Sequence, residues 1–144
     1  MPTAKNFFTE SEQQLLIKAI GDAEEKTSGE IRLHLENFCL GNEVERAQKV
    51  FEKLQMHQTQ ERNGVLIYIA TLSKKIAVIG DVGIHKKVGQ EFWEKEVKDI
   101  ISKFKTNQAA VALAKCIVEC GEQLGKYFPR KSDDKNELDN TISF

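Results

Sequence analysis

Residues Val65 to Ala70 read Val-Leu-Ile-Tyr-Ile-Ala and offer apolar side chains to both faces of an extended strand. Such a run must be covered above and below, so it predicts a central buried strand rather than an edge. Thr71-Leu72-Ser73-Lys74 follows as a turn, and Lys75-Ile76-Ala77-Val78-Ile79-Gly80-Asp81 leads back. A connection this short forces antiparallel pairing. It returns Asp81 to the end of the sheet at which Asn63 begins.

The flanking segments supply the cover. Thr9-Glu10-Ser11-Glu12 is a capping box opening a helix whose apolar stripe is Leu16, Ile20 and Ala23. Thr27-Ser28-Gly29 ends that helix and leads into a strand in which Ile31, Leu33 and Leu35 alternate with Arg32, His34 and Glu36. Asn42 to Glu45 is a second capping-box candidate, opening a helix with Val44, Ala47, Phe51 and Leu54 on one face. After the two strands, Gly89-Gln90 introduces a helix carrying Phe92, Trp93, Val97, Ile100, Ile101 and Phe104. Asn107 is placed to cap the last helix, which runs to about Phe128 before Pro129. The order helix, strand, helix, strand, strand, helix, helix predicts an α/β fold with a small mixed sheet flanked by helices.

At 144 residues the chain has the length of one domain with a sizeable core. The expected division is a single domain over residues 1–129 and a polar tail over 130–144, extended or partly disordered. Within that tail Leu138, Ile142 and Phe144 are the residues able to dock. With 21 basic and 22 acidic side chains, nucleic acid is not an expected partner. No apolar run is long enough to span a bilayer. The first residues lack a signal-peptide pattern, so a cytoplasmic location is expected. Balanced charge and the absence of heptads predict a monomer. Cys39, Cys116 and Cys120 make an odd set suited to a reducing compartment, and Cys116 and Cys120 read as small buried residues one helical turn apart. His34, His57 and His85 show no zinc-ligand spacing and are expected at surface or edge positions. There is no P-loop, no Gly-x-Ser-x-Gly elbow, no EF-hand loop and no three-glycine dinucleotide fingerprint.

A strand–helix–strand unit makes parallel strands, so the strand at residues 30–35 should run parallel to that at 65–70. The starts of the first and second strands and the end of the third then share one end of the sheet. Glu30, Asn63 and Asp81 meet there, with Thr27, Ser28 and the backbone of Gly80 to Gly83 close by. Glu61 is within loop reach, as is Asp22 if the first helix ends at that edge. Carboxylates, an amide oxygen, hydroxyls and carbonyls form a hard-oxygen set suited to calcium or magnesium. The same carboxylates also read as turn caps paired with Lys74, Lys75 or Arg62.

Three blocks of the sequence, Thr27-Ser28-Gly29-Glu30-Ile31, Asn63 to Ile69 and Ile76 to Ile84, resemble the signature blocks of the TPM domain. The stretch from Phe104 to Ala112 is similar to the start of that domain's last helix. The resemblance covers about residues 5–128 and is strongest to stand-alone TPM proteins of marine flavobacteria, whose tails are similar to Asp133–Phe144. It implies a three-layer α/β/α sandwich. Family members include a thylakoid-lumen protein described as an acid phosphatase and linked to photosystem II repair, and a membrane-anchored modulator of acetylcholine receptors. Calcium binding at loops on one end of the sheet is associated with the family. Carried onto this chain, the implied metal ligands are Glu30 and Asp81, then Asn63, Gly83 and Asn107. Many members have glycine where Asp81 stands, and the usual members carry a signal peptide or a transmembrane helix. The implied function is a TPM domain that binds a divalent cation, calcium before magnesium, with weak metal-dependent phosphatase activity. The alternative is a non-enzymatic module that binds protein partners during assembly or quality control.

Overall fold

The computed structural model describes residues 2–130 and 142–144. Strands β1 (Glu30–Glu36), β2 (Gly64–Ala70) and β3 (Lys75–Gly80) form a sheet in the order β1-β2-β3. All seven residues of the central β2 are buried, as its two-sided apolar pattern requires. β1 runs parallel to β2 with Glu30 opposite Gly64, and β3 runs antiparallel to β2 with Gly80 opposite Val65.

Among the described residues five α-helices complete the sandwich: α1 (Glu10–Glu24), α2 (Glu43–Lys53), α3 (Val82–Val88), α4 (Gln90–Phe104) and α5 (Ala109–Tyr127). Leu16 and Ile20 of α1 and Leu113, Ile117 and Leu124 of α5 pack with Ile31, Leu33, Leu35, Val65, Ile67 and Ile69 on one face of the sheet. Ala47, Val50 and Phe51 of α2 pack with Leu66, Tyr68, Ala70 and Ala77 on the other. Odd and even residues of β2 thus divide between two cores, the period-2 consequence of an extended chain.

The capping box at Thr9 is complete: its hydroxyl accepts from the Glu12 N–H at 3.1 Å and the Glu12 carboxylate accepts from the Thr9 N–H at 2.9 Å. Asn42 caps α2 by accepting from the Glu45 N–H at 3.0 Å. Two local readings need correction. The turn after β3 continues into α3, with Asp81 as its N-cap, and Gly89 at φ +80° separates α3 from α4. Asn107 does not cap α5; it adopts φ +60° in the preceding turn, and Gln108 occupies the N-cap without a side-chain bond. The left-handed backbone at Asn107 ends one helix and reverses the chain, which is incompatible with the extended backbone of an N-cap.

β1 is an edge strand, and the C-terminal residues lie along it. Ser143 donates its N–H to Leu33 at 3.0 Å and accepts from the Leu35 N–H at 2.9 Å, and Ile142 is buried. This covers His34, which is only 7% exposed although its strand is at the edge. Leu138 lies outside the described residues. Cys116 and Cys120 are both buried, with their sulfurs 3.9 Å apart.

Candidate metal site at the sheet end

The parallel and antiparallel pairings bring the loops before β1 and β2 and the start of α3 to one end of the sheet. Ser28, Glu30, Glu61, Asn63, Asp81 and Gly83 gather there. The Asp81 N–H donates to the Gly64 carbonyl at 2.9 Å, and the Gly83 N–H donates to the Arg62 carbonyl at 2.8 Å. Only glycine allows that second contact. A Cβ on residue 83 would overlap the Glu61 carbonyl oxygen and lie 2.7 Å from that of Arg62.

Asn63 is 1% exposed and sits at the centre of this end. Its amide nitrogen donates to Ser28 Oγ at 3.3 Å and to Glu61 Oε2 at 3.5 Å, while Ser28 Oγ donates to the same Glu61 oxygen at 2.8 Å. Its backbone N–H donates to Thr59 Oγ1 at 3.3 Å. The Asn63 carbonyl oxygen, Oδ1, is buried and accepts no hydrogen bond. Such an orphaned acceptor costs about 1–3 kcal/mol. A cation would satisfy it, so the hard-oxygen set around Asn63 fits a calcium-type ion.

Asp81 is differently engaged. Arg62 Nε and Nη2 donate to its two carboxylate oxygens at 2.6 and 2.9 Å, and the Val82 N–H donates to Oδ1 at 2.8 Å. The two-point fork is the strongest form of this pairing, and it is the Arg62 partnership that the sequence left open. Arg62 competes with any other partner for Asp81, and its side chain is 47% exposed at the mouth of the site.

Glu30 is also drawn into a pair. It lies beside Glu24 at the end of α1, and both are 1% exposed. Burial first, and the neighbouring Glu30 carboxyl second, push Glu24 up to about 9. Two carboxyls this close and this buried resist carrying two charges at once. The Ile31 N–H donates to Glu24 Oε2 at 2.9 Å and fixes the carboxyl against the start of β1.

Other sequence candidates lie elsewhere. Asn107 follows Phe104, which lines a cavity with Ile69, Ala70, Thr71 and Lys74 at the hairpin end of the sheet, opposite to Asp81. Asp22 pairs with Lys18 at 2.8 Å on the exposed side of α1. Thr27 donates its hydroxyl to the Phe128 carbonyl, a structural tie between the loop before β1 and the end of α5.

Beside Asp81 opens a cleft of about 480 Å³, lined in part by Phe51, His57, Arg62, Asp81 and His85. Trp93 Nε1 donates to His85 Nδ1 at 2.9 Å, so a neutral His85 carries its proton on Nε2. His57 Nδ1 is buried without a hydrogen-bond partner. Glu24, His57 and His85 were not legible as site residues. Glu24 did leave a signal, because Leu16, Ile20 and Glu24 follow at i, i+4 and i+8 and share the buried stripe of α1. The histidines left none, since His57 after α2 and His85 on α3 meet only where α2 and the start of α3 come together beside Asp81.

No helix among the described residues is long and apolar enough to cross a membrane. The TPM domain model matches residues 3–123. The NMR structure of the BA42 protein from the psychrophilic bacterium Bizionia argentinensis is similar at a TM-score of 0.88 and 42% identity, over 99% of this chain and 99% of that one. No curated protein matches the chain. With the signature blocks at the sheet end and the family match running through most of α5, the chain belongs to the TPM domain family.

Proposed function

We propose that the sheet end binds one divalent cation, calcium in preference to magnesium. The observation that carries the reading is the buried Asn63 Oδ1 with no donor, held beside Ser28 and Glu61, with Glu30 opposite its chain neighbour Gly64 in the sheet. Glu30, Asn63 and Glu61 are the ligands of this reading, and Gly83 is the residue that lets their loop close. Asp81 joins when Arg62 releases it. Asn107 is left out, because it belongs to the opposite end of the sheet.

Weak phosphatase activity is the catalytic extension of this reading. A bound cation would polarise a phosphoryl oxygen and offset its charge. Arg62, freed from Asp81, would grip a second phosphoryl oxygen through its fork. Asp81 or Glu30 would orient the water that attacks phosphorus, and His85, with its proton on Nε2, would donate to the leaving ester oxygen from the wall of the cleft.

A calcium titration followed by amide chemical shifts tests the binding. Saturable shifts at residues 28–30, 61–64 and 80–83, lost in Asn63→Ala, are expected. No shift at millimolar calcium would end the metal reading. Hydrolysis of a simple phosphate ester with and without calcium tests the chemistry, and an unchanged rate in Glu30→Gln would remove this site as its source.

The second reading, a protein-interaction module, is favoured by the pairing of Ser143 with β1 and by Phe38 and Leu40, which are 61% and 97% exposed just beyond that strand. It predicts no turnover. Deleting residues 130–144 should then release bound partner while the fold is retained by circular dichroism; full partner retention would dismiss the tail's part in it.

A further inference from the structure

The contact between α4 and α5 holds a second acidic group, separate from the sheet end. Glu96 and Asp99 stand one turn apart on α4, and Glu119 faces them from α5. Each offers a carboxylate oxygen, and the three oxygens all lie within 4.8 Å of one another.

Two features set this group apart from an ordinary solvated cluster. Glu96 is 1% exposed, and its Oε2 accepts no hydrogen bond. Glu119 Oε1 is likewise buried without a hydrogen-bond partner. Two orphaned anionic oxygens on facing helices are costly, because a buried charge needs either a partner or a proton. Burial first, and the Glu119 carboxyl second, raise Glu96 to about 7.

Lys95 supplies part of the missing charge. Its ammonium is 3.2 Å from Asp99 but 4.0 Å from Glu96 and 3.9 Å from Glu119, so it reaches only one of the three at hydrogen-bond distance. Lys95 is itself 60% exposed and able to swing away. Lys103 and Lys115 line the same small cavity, of about 60 Å³, without an ion pair to any of the three acids. That space suffices for an ion with a water or two.

We propose that Glu96, Asp99 and Glu119 form a second divalent-cation site that clamps α4 to α5, with the cation taking the place of the Lys95 ammonium. All three donors are carboxylates, a hard set that selects a hard cation. Calcium holds oxygens at about 2.3–2.6 Å, so ligands on its opposite sides lie about 4.6–5.2 Å apart. The observed group fits within that span without moving a helix. Magnesium, at about 2.0–2.1 Å, requires the donors to close to about 4.2 Å or less. The proposal does not rest on the sheet-end reading.

The test is calcium chloride titrated into the full chain, with amide shifts read at both locations. Saturable shifts at residues 95–99 and 115–119 are expected. They should disappear in Glu119→Gln and persist in Asn63→Ala, which separates this site from the sheet end. Lys95→Met, an exposed change that spares the core, should lower the calcium midpoint at these residues by about threefold or more. The proposal is overturned if no saturable shift appears there in either the wild type or Lys95→Met. It is equally overturned if the shifts survive Glu119→Gln.

Discussion

Glu36 at the end of β1 ties three elements together, and its replacement makes a quantitative test. Arg46 of α2 donates to both of its carboxylate oxygens, at 2.8 and 2.9 Å, the Tyr68 hydroxyl of β2 donates to Oε2, and His34 Nε2 lies 3.3 Å from Oε1. Burial pushes the carboxyl up, but the bonds from Arg46, Tyr68 and His34 outweigh it and hold Glu36 at about 2, below its ordinary 4.5. The Glu36 side chain is 16% exposed, so solvent screening is modest. Lowering a carboxyl from 4.5 to about 2 corresponds to about 3 kcal/mol, at about 1.4 kcal/mol per tenfold change.

The sign follows from the depressed folded value. The stabilisation is fully present above 4.5 and is lost as pH falls through about 2, because the unfolded chain takes up the proton first. By about pH 3 roughly 2 kcal/mol of it is gone. Glu36→Gln keeps the side-chain volume and removes the titration. Urea unfolding of wild type and variant should therefore differ by about 3 kcal/mol near pH 7 and by only about 1 kcal/mol near pH 3. A difference that stays constant between these two pH values would refute the reasoning, since it would mean that the Glu36 charge contributes nothing specific to the fold.

Three further outcomes follow from the sheet end. Gly83→Ala should destabilise the protein by about 1–3 kcal/mol, read by urea unfolding, because the new methyl overlaps the Glu61 and Arg62 carbonyls. Arg62→Gln should release Asp81 and tighten calcium binding at the sheet end, while Asp81→Asn should weaken it; calorimetric titration of the two variants decides, and a looser Arg62→Gln would place Asp81 outside the ligand set. Trp93→Phe removes the donor to His85 Nδ1, so the imidazole nitrogen shifts at alkaline pH should change from a single Nε2-protonated form to a tautomer mixture.

Much of the fold was legible because local patterns and global topology agree here. The alternation in β1, the two-sided apolar run of β2 and the short turn to β3 together dictated strand order and direction, and the Thr9 capping box marked the start of α1. From that topology alone Glu30, Asn63 and Asp81 could be assigned to one end of the sheet. Helix α3 was missed because seven residues between a strand and a glycine carry too little periodicity to be read as a helix. Asn107 was misplaced for a related reason: asparagine suits both an N-cap and a left-handed turn, and only the path of the chain between α4 and α5 distinguishes them.

The sequence by itself determined which residues could be neighbours, because strand period and turn length are local and few alternatives satisfy them. It could not determine which charged groups would find each other. Whether Asp81 meets a metal or Arg62, whether Glu24 pairs with Glu30, and whether Glu96 faces Glu119 depend on side chains from segments far apart in the chain. Those contacts are set to within an ångström by how the helices and loops pack on the sheet. Electrostatic interactions change steeply over that distance and with burial. The tertiary structure therefore decided the chemistry of the acidic groups, on a framework that the pattern of apolar residues had already laid down.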